Sequence, residues 1–158
     1  MKRILFDCDY VPGVAMAYAI PASDFLLLTP ETADGIAILD LTSTSGIVEL
    51  PTYADDLAFA EVPVEDGGLV AYDVTVTGSS PVTSSQNEDV LRRLEEGSWL
   101  LLFKTKGGSV KLAGSEDIPL RFTRETQVTK AEDRVRFTFS GLEEEPALFV
   151  GFGEVLAL

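Results

Sequence analysis

Residues Leu69 to Thr77 alternate without a break: Val70, Tyr72, Val74 and Val76 on one side, Ala71, Asp73, Thr75 and Thr77 on the other. Period-2 alternation of apolar and polar residues places the chain in a half-buried strand and rules out a helix over the same window. Leu57 to Val64 precedes it, and Glu65-Asp66-Gly67-Gly68 lies between, a turn made of residues that accept positive φ. A β-hairpin follows. The pattern returns where Val135, Phe137 and Phe139 alternate with Arg136, Thr138 and Ser140.

The rest of the chain fits a mainly β fold. Short strands are expected at Ile4 to Cys8, Val14 to Ile20, Ile36 to Leu41 and Ile47 to Leu50, and Phe25 to Leu28 is a short apolar run. Val14, Met16 and Tyr18 would share one face, and Pro21 ends that strand's pairing because it has no N–H. Thr29 to Gly35 reads as a loop. Trp99 to Thr105 is apolar on both faces and belongs in the interior. Lys106-Gly107-Gly108 turns it back into Val110 to Ala113, and strands at Leu120 to Val128, Val135 to Ser140 and Leu148 to Phe152 complete the set.

One helix is expected, Gln86 to Glu96. Ser85 is its cap, Glu88 completes a capping box and pairs with Arg92, and Val90, Leu91 and Leu94 form a narrow apolar stripe. Gly97 would close it in the left-handed C′ position. At 158 residues this predicts a single β-rich domain over 1–158: an antiparallel sandwich or partly open barrel, β-rich α+β in detail, with one lateral helix.

Charge and composition narrow the function. With 26 acidic against 12 basic residues the net charge is −14, so direct affinity for nucleic acid or for anionic membranes is not expected. No apolar run approaches the roughly 20 residues that span a bilayer, and MKRILFDCDY is too short in apolar residues for a signal peptide. Synthesis in the cytoplasm is expected. The one cysteine, Cys8, stands between Asp7 and Asp9, which raise a thiol pKa and oppose nucleophilic use.

Histidine is absent, which removes Ser-His-Asp and Cys-His catalysis and His-ligated zinc. The glycine pairs lack phosphate-loop spacing and sit between strands. No catalytic residue, cofactor or metal site is expected. Asp7 and Asp9 would share a strand face and are the candidate pair for one divalent ion; Asp55-Asp56 and Glu143-Glu144-Glu145 are further acidic clusters, each expected to be solvated surface.

Leu112-Ala113-Gly114-Ser115 followed by Pro119-Leu120-Arg121-Phe122, and Asp133-Arg134 before Phe137-Thr138-Phe139-Ser140-Gly141, give the chain its resemblance to a family. It resembles small, largely uncharacterised proteins encoded in prophages of gut bacteria, with Val11-Pro12-Gly13-Val14 and Ala19-Ile20-Pro21 fitting more loosely. The resemblance spans about half the chain and rests on turn and strand residues. It implies a non-catalytic, self-associating subunit of a phage tail, a tube, terminator or ring component found in the virion, whose partners are itself and other tail proteins. Head-to-tail contacts between such subunits close into rings when the rotation permits, with Thr29 to Gly35 and Pro51 to Asp56 as candidate contact arms. The alternative is a small β-sandwich binding module for a cation, a glycan or a protein partner.

Overall fold

The computed structural model describes residues 13–30, 36–53, 56–66, 68–81, 85–128 and 133–151. Along the chain run β1 (Val14–Pro21), β2 (Phe25–Pro30), β3 (Ala37–Leu41), β4 (Val48–Glu49), β5 (Ala58–Asp66), β6 (Leu69–Pro81), α1 (Ser85–Glu96), β7 (Trp99–Thr105), β8 (Val110–Ala113), β9 (Arg121–Val128), β10 (Asp133–Glu143) and β11 (Leu148–Gly151). The fold is mainly β, with two sheets packed together and no closed barrel. The expected strand at Ile4 to Cys8 lies outside the described residues.

A seven-stranded sheet has the order β2-β3-β11-β8-β7-β1-β4, and a four-stranded sheet the order β5-β6-β10-β9. The described pairings are antiparallel except β3 with β11, which run parallel with Val150 opposite Ala37. Trp99 to Phe103 is buried throughout because β7 has a core on each side. Trp99, Leu101 and Phe103 face the four-stranded sheet and meet Val74, Val76, Val135, Phe137 and Phe139 there. Leu100 and Leu102 face away, into a second core with Ile20, Leu39, Leu112 and Val150. Phe25 of β2 and Ile47, just before β4, both pack against that second core, so the long sheet curls until its two ends share one interior.

Two local expectations are corrected. Val14 does not share the face of Met16 and Tyr18, because the pairing of β1 with β7 shifts by a residue between Val14 and Met16. That bulge turns Val14 inward beside Ala17 and Ala19, while Tyr18 packs on the second core. Gly97 is not in the left-handed region, unlike Gly68 and Gly108 in the two hairpin turns. Its need is steric: a Cβ there would stand 2.5 Å from the Trp99 ring.

α1 docks through Leu91 and Leu94, both buried. Two such side chains contribute about 3–6 kcal/mol, against roughly 1 kcal/mol for an end cap, so burial fixes the helix in place. Glu88 and Glu95, two turns apart, both hold Arg124 of β9: Nη1 and Nη2 donate to Glu88 and Nε to Glu95, each at 2.8 Å. Glu88 therefore serves the sheet more than its own helix. The hydrogen bond from Arg124 is the main reason its carboxyl sits below the usual range, with Arg92 adding only a through-space contribution. The side chain of Ser85 lies outside the described residues.

Candidate functional site

The outward face of the four-stranded sheet follows directly from its register. Thr77 stands opposite both Ala58 and Thr138, and Thr138 opposite Thr123, a row of short side chains across all four strands. Toward one end come Ala60, Thr75, Ser140 and Arg121, then Val62, Asp73 and Leu142. Toward the other come Ser79, Arg136 and Glu125, then Arg134 beside Gln127. Val74, Val76, Val135, Phe137 and Phe139 fill the inward face, so the alternation that makes the core also makes this polar surface.

A shallow groove of about 430 Å³ opens at the arginine end, lined by Asp56, Ser79, Glu125, Arg134, Arg136 and Thr138 among others. Ser79 Oγ donates to Asp56, which ties the segment before β5 to the sheet. The Arg134 guanidinium lies 5.6 Å from the Tyr53 ring centroid. Among the described residues of this face three arginines (Arg121, Arg134, Arg136) meet three carboxylates (Asp56, Asp73, Glu125), whereas the chain as a whole carries 12 basic and 26 acidic residues. The face is locally neutral.

Beyond this face β5 and β6 continue as a two-stranded ribbon. β10 last pairs with β6 at Glu143 opposite Tyr72, so Val64, Glu65 and Asp66 pair only with Ala71, Val70 and Leu69. The ribbon exposes apolar side chains on both faces: Leu69 at 78%, Val70 at 54% and Val64 at 39%. An isolated two-stranded ribbon is marginally stable in water, and these side chains gain nothing from the chain's own core. The dry side of the hairpin that the alternation predicts is thus dry only from Tyr72 onward, since Tyr72 packs against the core while Val70 is exposed. β5 is an edge strand, and Pro63 within it lacks the N–H that an incoming strand would use.

A second hollow, of about 250 Å³, lies between Phe25, Leu28, Leu112, Ile118 and the Glu143-Glu144-Glu145 run. Here the expectation of a solvated acidic cluster fails for its first member. Glu143 is buried at 8% exposure and accepts a 2.6 Å hydrogen bond from the Gly114 N–H. Burial pushes its carboxyl above the ordinary value; the Gly114 bond opposes this, and Glu61 adds repulsion. Glu61 in turn accepts from the Ala147 N–H at 2.7 Å. These two carboxylates pin the turns on either side of β10's end and act as structural ties.

Asp7, Cys8, Asp9 and Asp55 lie outside the described residues, as do 31–35 of the first candidate contact arm. Of the second arm, Pro51 to Tyr53 and Asp56 are described and pack along the sheet edge, with Tyr53 N–H bonded to Ser79. Among the described residues no three His, Cys, Asp or Glu side chains are grouped to hold a metal ion, and no helix is long and apolar enough to cross a membrane.

Sequence reasoning identified the wet face of β10 but not its partners. A signal existed: five of the chain's 12 basic residues (Arg121, Arg124, Lys130, Arg134, Arg136) fall between 121 and 136. Comparison with protein-family models, with curated proteins and with solved structures finds no match.

Proposed function

We propose that this chain is a structural, self-associating subunit of a phage tail or phage-tail-like particle, working through its surfaces without a chemical step. The observation that carries the reading is the ribbon formed by the ends of β5 and β6, where Val64, Leu69 and Val70 stand exposed to solvent. Exposed apolar side chains on a projecting element mark a surface that a partner covers. The sequence resemblance supports a tail component in particular, and other tail proteins are the expected further partners. Light scattering of the full chain from micromolar to millimolar concentration tests it. Mass that climbs with concentration, with rings or tubes in electron micrographs, is the expected result; a monomer across the whole range overturns it.

The second reading, a binding module, draws on the groove at Arg136. Its volume of about 430 Å³ suits a small ligand, and its hydroxyls and guanidiniums suit a glycan or an anionic group. The cation version rests on Asp7 and Asp9, and calcium should then raise the melting temperature by mass action on the folded state.

A further inference from the structure

A chain carrying −14 repels its own copies over most of its surface, so self-association needs a face where that repulsion is absent. Among the described residues the outward face of the four-stranded sheet meets this condition, with three arginines against three carboxylates. Its charges are also placed symmetrically. Arg121 and Glu125 lie on one strand, on the same face, two residues either side of Thr123. Thr123 belongs to the row of short side chains Ala58, Thr77, Thr138 and Thr123 that crosses the sheet.

From this arrangement we infer that a second copy of the chain docks face to face on this sheet, about a two-fold axis that runs across the strands over the Thr123 row. The inference rests on the self-associating reading above and names its interface. Such an axis lays each β9 over its partner's β9 with the direction reversed. Arg121 then faces Glu125 of the second copy and Glu125 faces its Arg121, the reciprocal contact that an isologous interface requires. Arg121 and Glu125 make no ion pair within the described residues, so both charges are available for it. Arg136, opposite Glu125 in the same chain, flanks that carboxylate from the other side.

Shape agrees with charge. The side chains on the axis are Ala and Thr, short enough for two sheets to approach to the roughly 10 Å of face-to-face packing, and aligned sheets tolerate a rotation of about 30°. At about 4.8 Å between strands and about 3.4 Å per residue, the stretch from Arg134 to Leu142 gives a footprint of about 420 Å² per copy, because β5 enters it only at Ala58 and β9 only at Arg121. Both copies together come to about 850 Å², the size of a weak, reversible contact.

Symmetry supplies its own rescue experiment. Arg121→Glu sets carboxylate against carboxylate at two places, and Glu125→Arg sets guanidinium against guanidinium; each is expected to weaken self-association about tenfold or more, since like charges juxtaposed across an interface are strongly unfavourable. The double variant Arg121→Glu/Glu125→Arg restores both pairs with the signs exchanged and returns association to within about threefold of the wild type. All four proteins are compared by sedimentation equilibrium, with melting curves to show that each is folded. If the wild type associates and the single variants match it, or the double variant fails to recover, the docking face is wrong and self-association by another surface stands. If the wild type is monomeric throughout, the proposed function falls as well.

Discussion

Gly97 offers a quantitative test of how α1 is joined to β7. A methyl group there would stand 2.5 Å from Cε2 and Cζ2 of Trp99 and 2.6 Å from its Nε1. The indole cannot retreat. It is 2% exposed, its Nε1 donates to the Leu94 carbonyl at 2.8 Å, and the Trp99 backbone is bridged to Leu120 in both directions. Forcing extra volume into a packed site costs about 1–3 kcal/mol. For 158 residues the unfolding entropy is about 0.33 kcal/mol per degree, so Gly97→Ala should lower Tm by roughly 3–9 °C. A left-handed glycine would also resist alanine, so the cause is separated by a double-mutant cycle with Trp99→Leu. That change alone costs about 2–4 kcal/mol through lost burial and the lost indole hydrogen bond. Removing the ring makes room for the methyl, so the double variant should be more stable than the sum of the singles by about 1–3 kcal/mol. Thermal and urea unfolding of the four proteins measure it. Additivity to within about 0.5 kcal/mol, or a neutral Gly97→Ala, refutes the steric account.

Two further outcomes follow from the carboxylate tie and the edge strand. Glu143 has its folded pKa raised, mainly by burial, so its charge destabilises the fold above that pKa, and the penalty is relieved as pH falls through the raised folded value toward the ordinary one near 4.5. Glu143→Gln keeps an acceptor for the Gly114 N–H and should melt higher than the wild type at neutral pH, with the difference shrinking as pH is lowered; a constant or reversed difference contradicts the burial argument. Pro63→Val returns a donor to the exposed edge of β5 and should increase sedimentable aggregate while changing monomer stability by no more than about 0.5 kcal/mol; unchanged solubility would show that this edge is protected by something other than its proline.

How much of this was legible in the sequence depended on whether the signal was local. The β5–β6 hairpin, α1, β7 and β10 were readable because alternation, a capping signature, a doubly apolar run and glycine-rich turns are written in consecutive residues. The bulge after Val14 was not, since the register of β1 is set by its partner β7, and a one-residue slip moves a side chain to the opposite face. Gly97 looked like a helix terminator, and only the packing of Trp99 two residues later reveals the other reason for a glycine. Glu143 looked like its exposed neighbours Glu144 and Glu145; its burial comes from the Gly114 turn 29 residues away. The candidate face needed two strand pairings before Arg121, Arg136 and Asp73 could be placed on one surface. The ribbon was hidden for the converse reason: Val70 continues the alternation of Val74 and Val76, but β10 stops pairing short of it.

Amide hydrogen exchange, followed residue by residue at increasing protein concentration, addresses the contact surface most directly. Amides of the ribbon from Val64 to Ala71 and of edge strand β9 should exchange fast in dilute solution and become protected as copies associate, while those of β7, already buried between two cores, stay unchanged. Ribbon and β9 amides whose exchange is indifferent to concentration, in a protein that nonetheless associates, would place the contact elsewhere and contradict the account.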